Sequence, residues 1–136
     1  MSSSCPEDEV LYLPRGIEVY EIDGPFFFGV ATKFDEIMRE IGDDANVRII
    51  RMRKVPFIDS TGLYNLETLC QSANKEKIQI ILSGVIDSVH QKLNKSEIPE
   101  LIGEENICPN IHLAVERAVI VNKEISEKNR RKLKRL

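Results

Sequence analysis

Val55-Pro56-Phe57-Ile58-Asp59-Ser60-Thr61-Gly62-Leu63 joins two different periodicities. From Asn46 to Ile58 the chain is apolar and β-prone; beyond Gly62, the residues Leu63, Leu66, Leu69, Cys70 and Ala73 recur at helical spacing. The stretch is therefore a strand-to-helix junction. It places two adjacent hydroxyls, Ser60 and Thr61, where free backbone N–H groups and the positive end of a helix dipole favour a negative group. Four uses fit such a place: phosphate binding, a nucleophile, a phosphorylation switch, or plain helix capping.

Working outward, Ile78 to Leu82 is a branched run, interrupted by Gln79 alone, of the kind found in strands buried on both faces, and Ser83-Gly84 closes it. Asp87 to Lys95 reads as a helix with Val89 and Leu93 inward, Ile107-Cys108 as a last short strand, and Asn110 as the start of a helix bearing Ala114, Val115, Ala118 and Val119. Upstream, Ile17 to Ile22 is a strand that ends at the turn signal Asp23-Gly24-Pro25. Val10 to Leu13 is expected to pair with it antiparallel. Val30, Phe34, Ile37, Met38 and Ile41 then fall on one helical face, terminated by Gly42. Strands joined by helices predict an α/β fold with a mixed sheet and at least two parallel crossovers.

At 136 residues the chain is one domain, large enough to bury a core without disulfides or metal. We divide it into a polar, flexible segment (1–9), a globular domain (10–121) and a basic helix or tail (122–136). The net charge of −3 hides an asymmetry. Residues 122–136 carry seven Lys/Arg against Glu124 and Glu127, a net +5; residues 1–121 carry twelve against twenty acids, a net −8. An acidic body argues against a nucleic-acid platform; the tail could touch phosphates of lipid or RNA, but a solvated or frayed helix end explains it more simply. No apolar run approaches the ~18 residues of a membrane span, and no signal-peptide pattern opens the chain. Taken alone, the polypeptide is expected to be soluble and cytoplasmic. Cys5, Cys70 and Cys108 lack metal-ligand spacing, so no metal or other cofactor is expected. Cys70 and Cys108 read as small core residues in a reducing compartment.

At the junction, Ser60 is a natural N-cap, its oxygen accepting from the N–H of Gly62 or Leu63. Catalysis would need a base, yet His90 and His112 sit in expected helices without an identifiable acidic partner. Neither a Walker phosphate loop nor a Gly-x-Ser-x-Gly elbow occurs. Phosphorylation suits the helix start, although Asp59 beside it would repel the phosphate. Phe26, Phe27 and Phe28 cannot all point one way, which makes them either a staple for the first helix or a contact patch, with the staple favoured. Arg48, Arg51, Arg53 and Lys54 would be costly on a doubly buried strand, so part of that strand is expected at the solvated end of the sheet. Residues 51–54 could also form a basic spot for an anion.

The run Arg15-Gly16-Ile17-Glu18-Val19-Tyr20-Glu21-Ile22-Asp23-Gly24-Pro25-Phe26-Phe27-Phe28 resembles the opening of a STAS domain. Pro56 to Leu63 resembles that family's Asp-Ser-Thr-Gly loop, and Ile78 to Val85 its next strand. The likeness covers residues 10–121 and implies the STAS fold, a mixed sheet of four to five strands with four to five helices. STAS domains occur in bacterial anti-sigma-factor antagonists and in SulP-type anion transporters. The Gly-Pro-Phe-Phe-Phe segment and the Leu-Pro-Arg-Gly-Ile-Glu-Val-Tyr lead-in resemble the transporter branch. That resemblance implies a non-enzymatic regulatory and protein-interaction domain on the cytoplasmic side of a sulfate permease. Its partners would be the transmembrane region of its own transporter or a cytoplasmic protein, its recognition loop Asp59, Ser60, Thr61, Gly62 and Leu63, and its membrane association indirect. The alternative is a freestanding antagonist switched by a kinase at Ser60, with Thr61 as neighbour.

Overall fold

The computed structural model describes residues 14–23 and 45–134. Strand β1 (Ile17–Asp23) is followed by β2 (Val47–Lys54), helix α1 (Ser60–Lys75), β3 (Gln79–Ser83), α2 (Asp87–Asn94), α3 (Ile98–Ile102), β4 (Ile107–Cys108) and α4 (Ile111–Lys134). The strands lie in chain order β1-β2-β3-β4, and each described pairing is parallel. The antiparallel strand expected at Val10–Leu13 lies outside the described residues. So do segment 1–9 with Cys5, the Phe26–Phe28 patch and the helix expected over 30–41.

Alternation along β2 divides the core. Ile50 and Met52 face α1, α2 and α3, where they join Ile58, Leu66, Cys70, Leu82, Leu93 and Ile98 in one cluster. Val47 and Ile49 face the other way, meeting Ile17, Ile81, Cys108, Ala114 and Ala118 beneath α4. Every one of these side chains is buried. As expected for a central strand, β3 sends Ile80 and Leu82 to the first cluster and Ile81 to the second.

Two expectations about burial need correction. Arg48 and Arg51 are not solvated: each is only 6% exposed. A cross-strand partner makes this tolerable for Arg48, whose Nε donates to Glu18 at 3.3 Å directly opposite on β1. Toward the strand end, Arg53 pairs with Glu21 at 2.6 Å while Lys54 is exposed. Val119 is 38% exposed; the inward row of α4 continues instead through Asn122. Helix α3 answers to no expectation from the sequence, because five residues carry no readable period. Pro99 at its first turn and Gly103 (φ +93°) at its end delimit it.

Asn122 fastens α4 to the sheet. Its Nδ2 donates to the Arg15 carbonyl (3.1 Å) and its Oδ1 accepts from Asn46 Nδ2 (2.9 Å). Between them Gly16 (φ +101°) admits no side chain, since a Cβ there would lie 2.6 Å from Asn122 Oδ1. Helix α4 therefore starts beyond the carboxyl end of β4 and crosses the sheet to the amino end of β1.

Candidate functional site

The loop after β2 is held from three sides. Val55 and Ile58 are buried in the larger cluster, which leaves Pro56 and Phe57 on the surface between them. Lys92 of α2 donates its Nζ to the Ile58 carbonyl at 2.9 Å. The N-cap of α1 is Asp59 rather than Ser60: its backbone is extended, and Oδ1 accepts from Gly62 N at 2.7 Å. Its carbonyl accepts the first helical bond, from Leu63 N at 2.8 Å. The expectation of a Ser60 cap thus shifts by one residue. A carboxylate also answers the positive end of the helix dipole better than a hydroxyl does.

That shift changes what the hydroxyls can do. Ser60 and Thr61 occupy the first helical turn, are exposed, and make no hydrogen bond to another described residue. Gly62 is buried, and Leu63 is half-buried against the larger cluster. Two aromatics missed in the sequence flank the hydroxyls: Phe57 is 48% and Tyr64 66% exposed. The signal for Tyr64 was present, because it lies four residues after Ser60, off the inward row of Leu66, Cys70 and Ala73. Phe57 reads as strand interior by composition, and only the fold turns it out.

On the same edge of the sheet, Arg51, Arg53, Ser83, Gly84, Asn110 and His112 line a hollow of about 240 Å³. Gly84 (φ +69°) lies so close to Arg53 that a Cβ would meet its backbone at 3.0 Å. Residues 51–53 are therefore packed into the edge of the fold, and Lys54, though exposed, pairs with Glu21 at 3.6 Å. His112 is exposed, whereas His90 is half-buried on α2. No group of three metal-ligating side chains occurs among the described residues. Burial pushes the Cys70 thiol up to about 12 and also raises Cys108, so neither is a ready nucleophile. Burial, then the hydrogen bond to Glu18, raises the Tyr20 phenol well beyond its ordinary value. The groups with perturbed ionisation lie in the core and at the β1–β2 pair, away from the loop.

The STAS domain model matches residues 10–116. The chain belongs to the STAS family. A sulfate transporter family protein from Wolinella succinogenes superposes on this STAS domain with a TM-score of 0.77 and 38% identity, covering 82% of this chain and 92% of that one. The STAS domain of a SulP transporter from Vibrio cholerae gives 0.73 and 39%, covering 85% and 88%. High affinity sulfate transporter 1 of Stylosanthes hamata is 30% identical over 112 residues. That match takes in 74% of this chain, and the chain spans only 17% of the length of that relative. No helix among the described residues is long and apolar enough to cross a membrane.

Proposed function

We propose that this STAS domain is the regulatory, non-enzymatic part of a SulP-type sulfate transporter, placed on the cytoplasmic side of the membrane. Its contact surface is the start of α1. One observation carries the reading: Asp59 caps the helix, so Ser60 and Thr61 are left exposed between the exposed aromatics Phe57 and Tyr64. Polar groups ringed by partly exposed aromatic surface suit protein recognition. Similarity to SulP and sulfate-transporter proteins supports attachment to the transmembrane region of the same transporter, which leaves the loop, at the sheet edge away from the chain's entry to β1, to a cytoplasmic protein partner. The transported anion would be selected in that region.

The test uses the full-length transporter. Phe57→Ala with Tyr64→Ala should lower sulfate uptake several-fold at unchanged membrane abundance, while the domain's melting temperature stays within a few degrees. Unchanged uptake would remove the loop from the contact. A reading frame upstream of Met1 without hydrophobic spans would remove the transporter itself. The exposed Ser60 hydroxyl supports a second reading, a phosphorylation switch. Incubation with a kinase from the same cell should then add one phosphate that Ser60→Ala abolishes, and persistence in that variant would move the site to Thr61.

A further inference from the structure

The basic end of α4 is helical. The helix continues from the Asn122 clasp to Lys134, twelve residues or about 18 Å at the ordinary helical rise. Residues 127–131 are all exposed. Lys128, Arg130 and Arg131 make no ion pair with another described residue, and Glu127 is the one acid among those five positions. From 128 to 136 the sequence holds six Lys/Arg and no acid.

Because α4 crosses the sheet, this end emerges at the amino edge of β1 and β2. Arg15 is exposed on that same edge, where the described chain arrives at β1. Lys77, in the turn between α1 and β3, faces Lys128 across a cleft of about 550 Å³ that also includes Asn46 and Asn129. Glu76 also lines that cleft, and Glu124 and Glu127 lie on the same helix, but Arg15, Lys77, Lys128, Arg130 and Arg131 outnumber these three acids. The rest of the chain is net negative. The molecule is therefore electrostatically polarised, with one basic corner on an acidic body.

We propose that this corner, formed by Arg15, Lys77, Lys128, Arg130 and Arg131, makes direct contact with an anionic phospholipid surface. Charge complementarity is the first argument, since clustered exposed Lys/Arg are drawn to anionic headgroups within a Debye length. Position is the second. On the transporter reading the membrane-embedded part precedes this domain, and the chain reaches β1 at this corner. The inference rests on that reading for its biological setting alone. RNA fits less well. A flat bilayer touches one corner, whereas a long polyanion would meet the acidic body, and the exposed aromatics Phe57 and Tyr64 lie at the opposite edge of the sheet.

The test sediments the 136-residue chain with phosphatidylcholine vesicles, pure or mixed with phosphatidylglycerol. Binding should require phosphatidylglycerol and weaken as salt rises. Reversing Lys128, Arg130 and Arg131 to Glu should weaken it by at least about tenfold, because each cation near such a surface contributes about fivefold. The milder Lys128→Gln, Arg130→Gln, Arg131→Gln variant should weaken it in the same direction, which guards against misfolding of the reversal. Three results would overturn the proposal: no binding or equal binding to both vesicles, full binding by both variants, or tighter retention on single-stranded RNA at matched salt. None depends on finding membrane spans upstream, so the outcome stands apart from that of the transporter reading.

Discussion

The two faces of the sheet solve the same burial problem with different residues. Beneath α1, α2 and α3 the contacts are made by large side chains: Ile50, Met52, Leu66, Leu82, Leu93 and Ile98. Beneath α4 the helix contributes Ala114 and Ala118, which let it lie close on Val47, Ile49 and Ile81. Interdigitated bulk fixes position by itself, because few other arrangements fill the space. A smooth alanine stripe does not, and there the polar clasp of Asn122, Asn46 and Gly16 supplies the lock. Each face carries one exposed feature. The thick face positions the Asp59–Leu63 loop, and the smooth face aims the basic end of α4. Damage to one face should therefore leave the other's feature largely intact.

The largest effect is expected on the thick face. Leu66→Ala removes a fully buried side chain from α1 and should cost about 2–5 kcal/mol in urea denaturation. Hydrogen exchange should show the loop and α1 loosening before α4. Equal loosening of both would mean that the two faces form one cooperative unit. Cys70, on the same face, gives a pH signature. Its folded-state pKa is raised from the usual 9.0 to about 12, chiefly by burial. The stabilisation of the neutral thiol is complete below pH 9 and is lost as pH rises from about 9 toward 12. In Cys70→Ala the fall in stability over that window should be shallower than in the parent chain. At neutral pH the parent thiol should react with a thiol reagent only at the rate of unfolding.

The sequence made the thick face easy to read and the smooth one hard. Leu66, Cys70 and Ala73 announce their helix by period, and Ile80–Leu82 announce a strand by branching, because burial by bulk leaves a pattern in residue type. Closeness by small residues leaves a fainter one, which is why Val119 was expected inward and Asn122 was not. Arg48 and Arg51 escaped for another reason. A charge is tolerated in a sheet when its neighbours allow it, and Glu18 becomes the neighbour of Arg48 only once β1 pairs with β2. At the loop, the junction and its two hydroxyls were legible. The division of labour between Asp59 and Ser60 was not, since all three of Asp, Ser and Thr are good caps and one backbone torsion decides among them.

On the smooth face, Asn122→Ala should destabilise by about 1–3 kcal/mol, the cost of leaving the Arg15 carbonyl and the Asn46 amide without their partner. Anionic-vesicle binding should fall with it, because the basic end would no longer be held over the β1 edge. Phe57 and Tyr64 should keep their contacts. A loss of partner binding at the loop in this variant would show that the two features communicate across the sheet.

The smallest expected effect makes the sharpest distinction. Asp59→Ala deletes the cap and should cost about 1 kcal/mol, whereas Ser60→Ala, at an exposed first-turn position, should stay within about 0.5 kcal/mol of the parent. If the ranking were reversed, Ser60 would be the capping residue in solution and its hydroxyl would no longer be available to a partner or a kinase. If the ranking holds, any loss of binding in Ser60→Ala comes from the contact itself, since stability has been separated from it at the neighbouring residue. The carboxylate that keeps Ser60 available also lies directly beside it. A phosphate added there would gain from the helix dipole and lose to Asp59, so Asp59→Asn, which retains a capping oxygen, should make phosphorylated Ser60 less disruptive to α1 than it is in the parent chain.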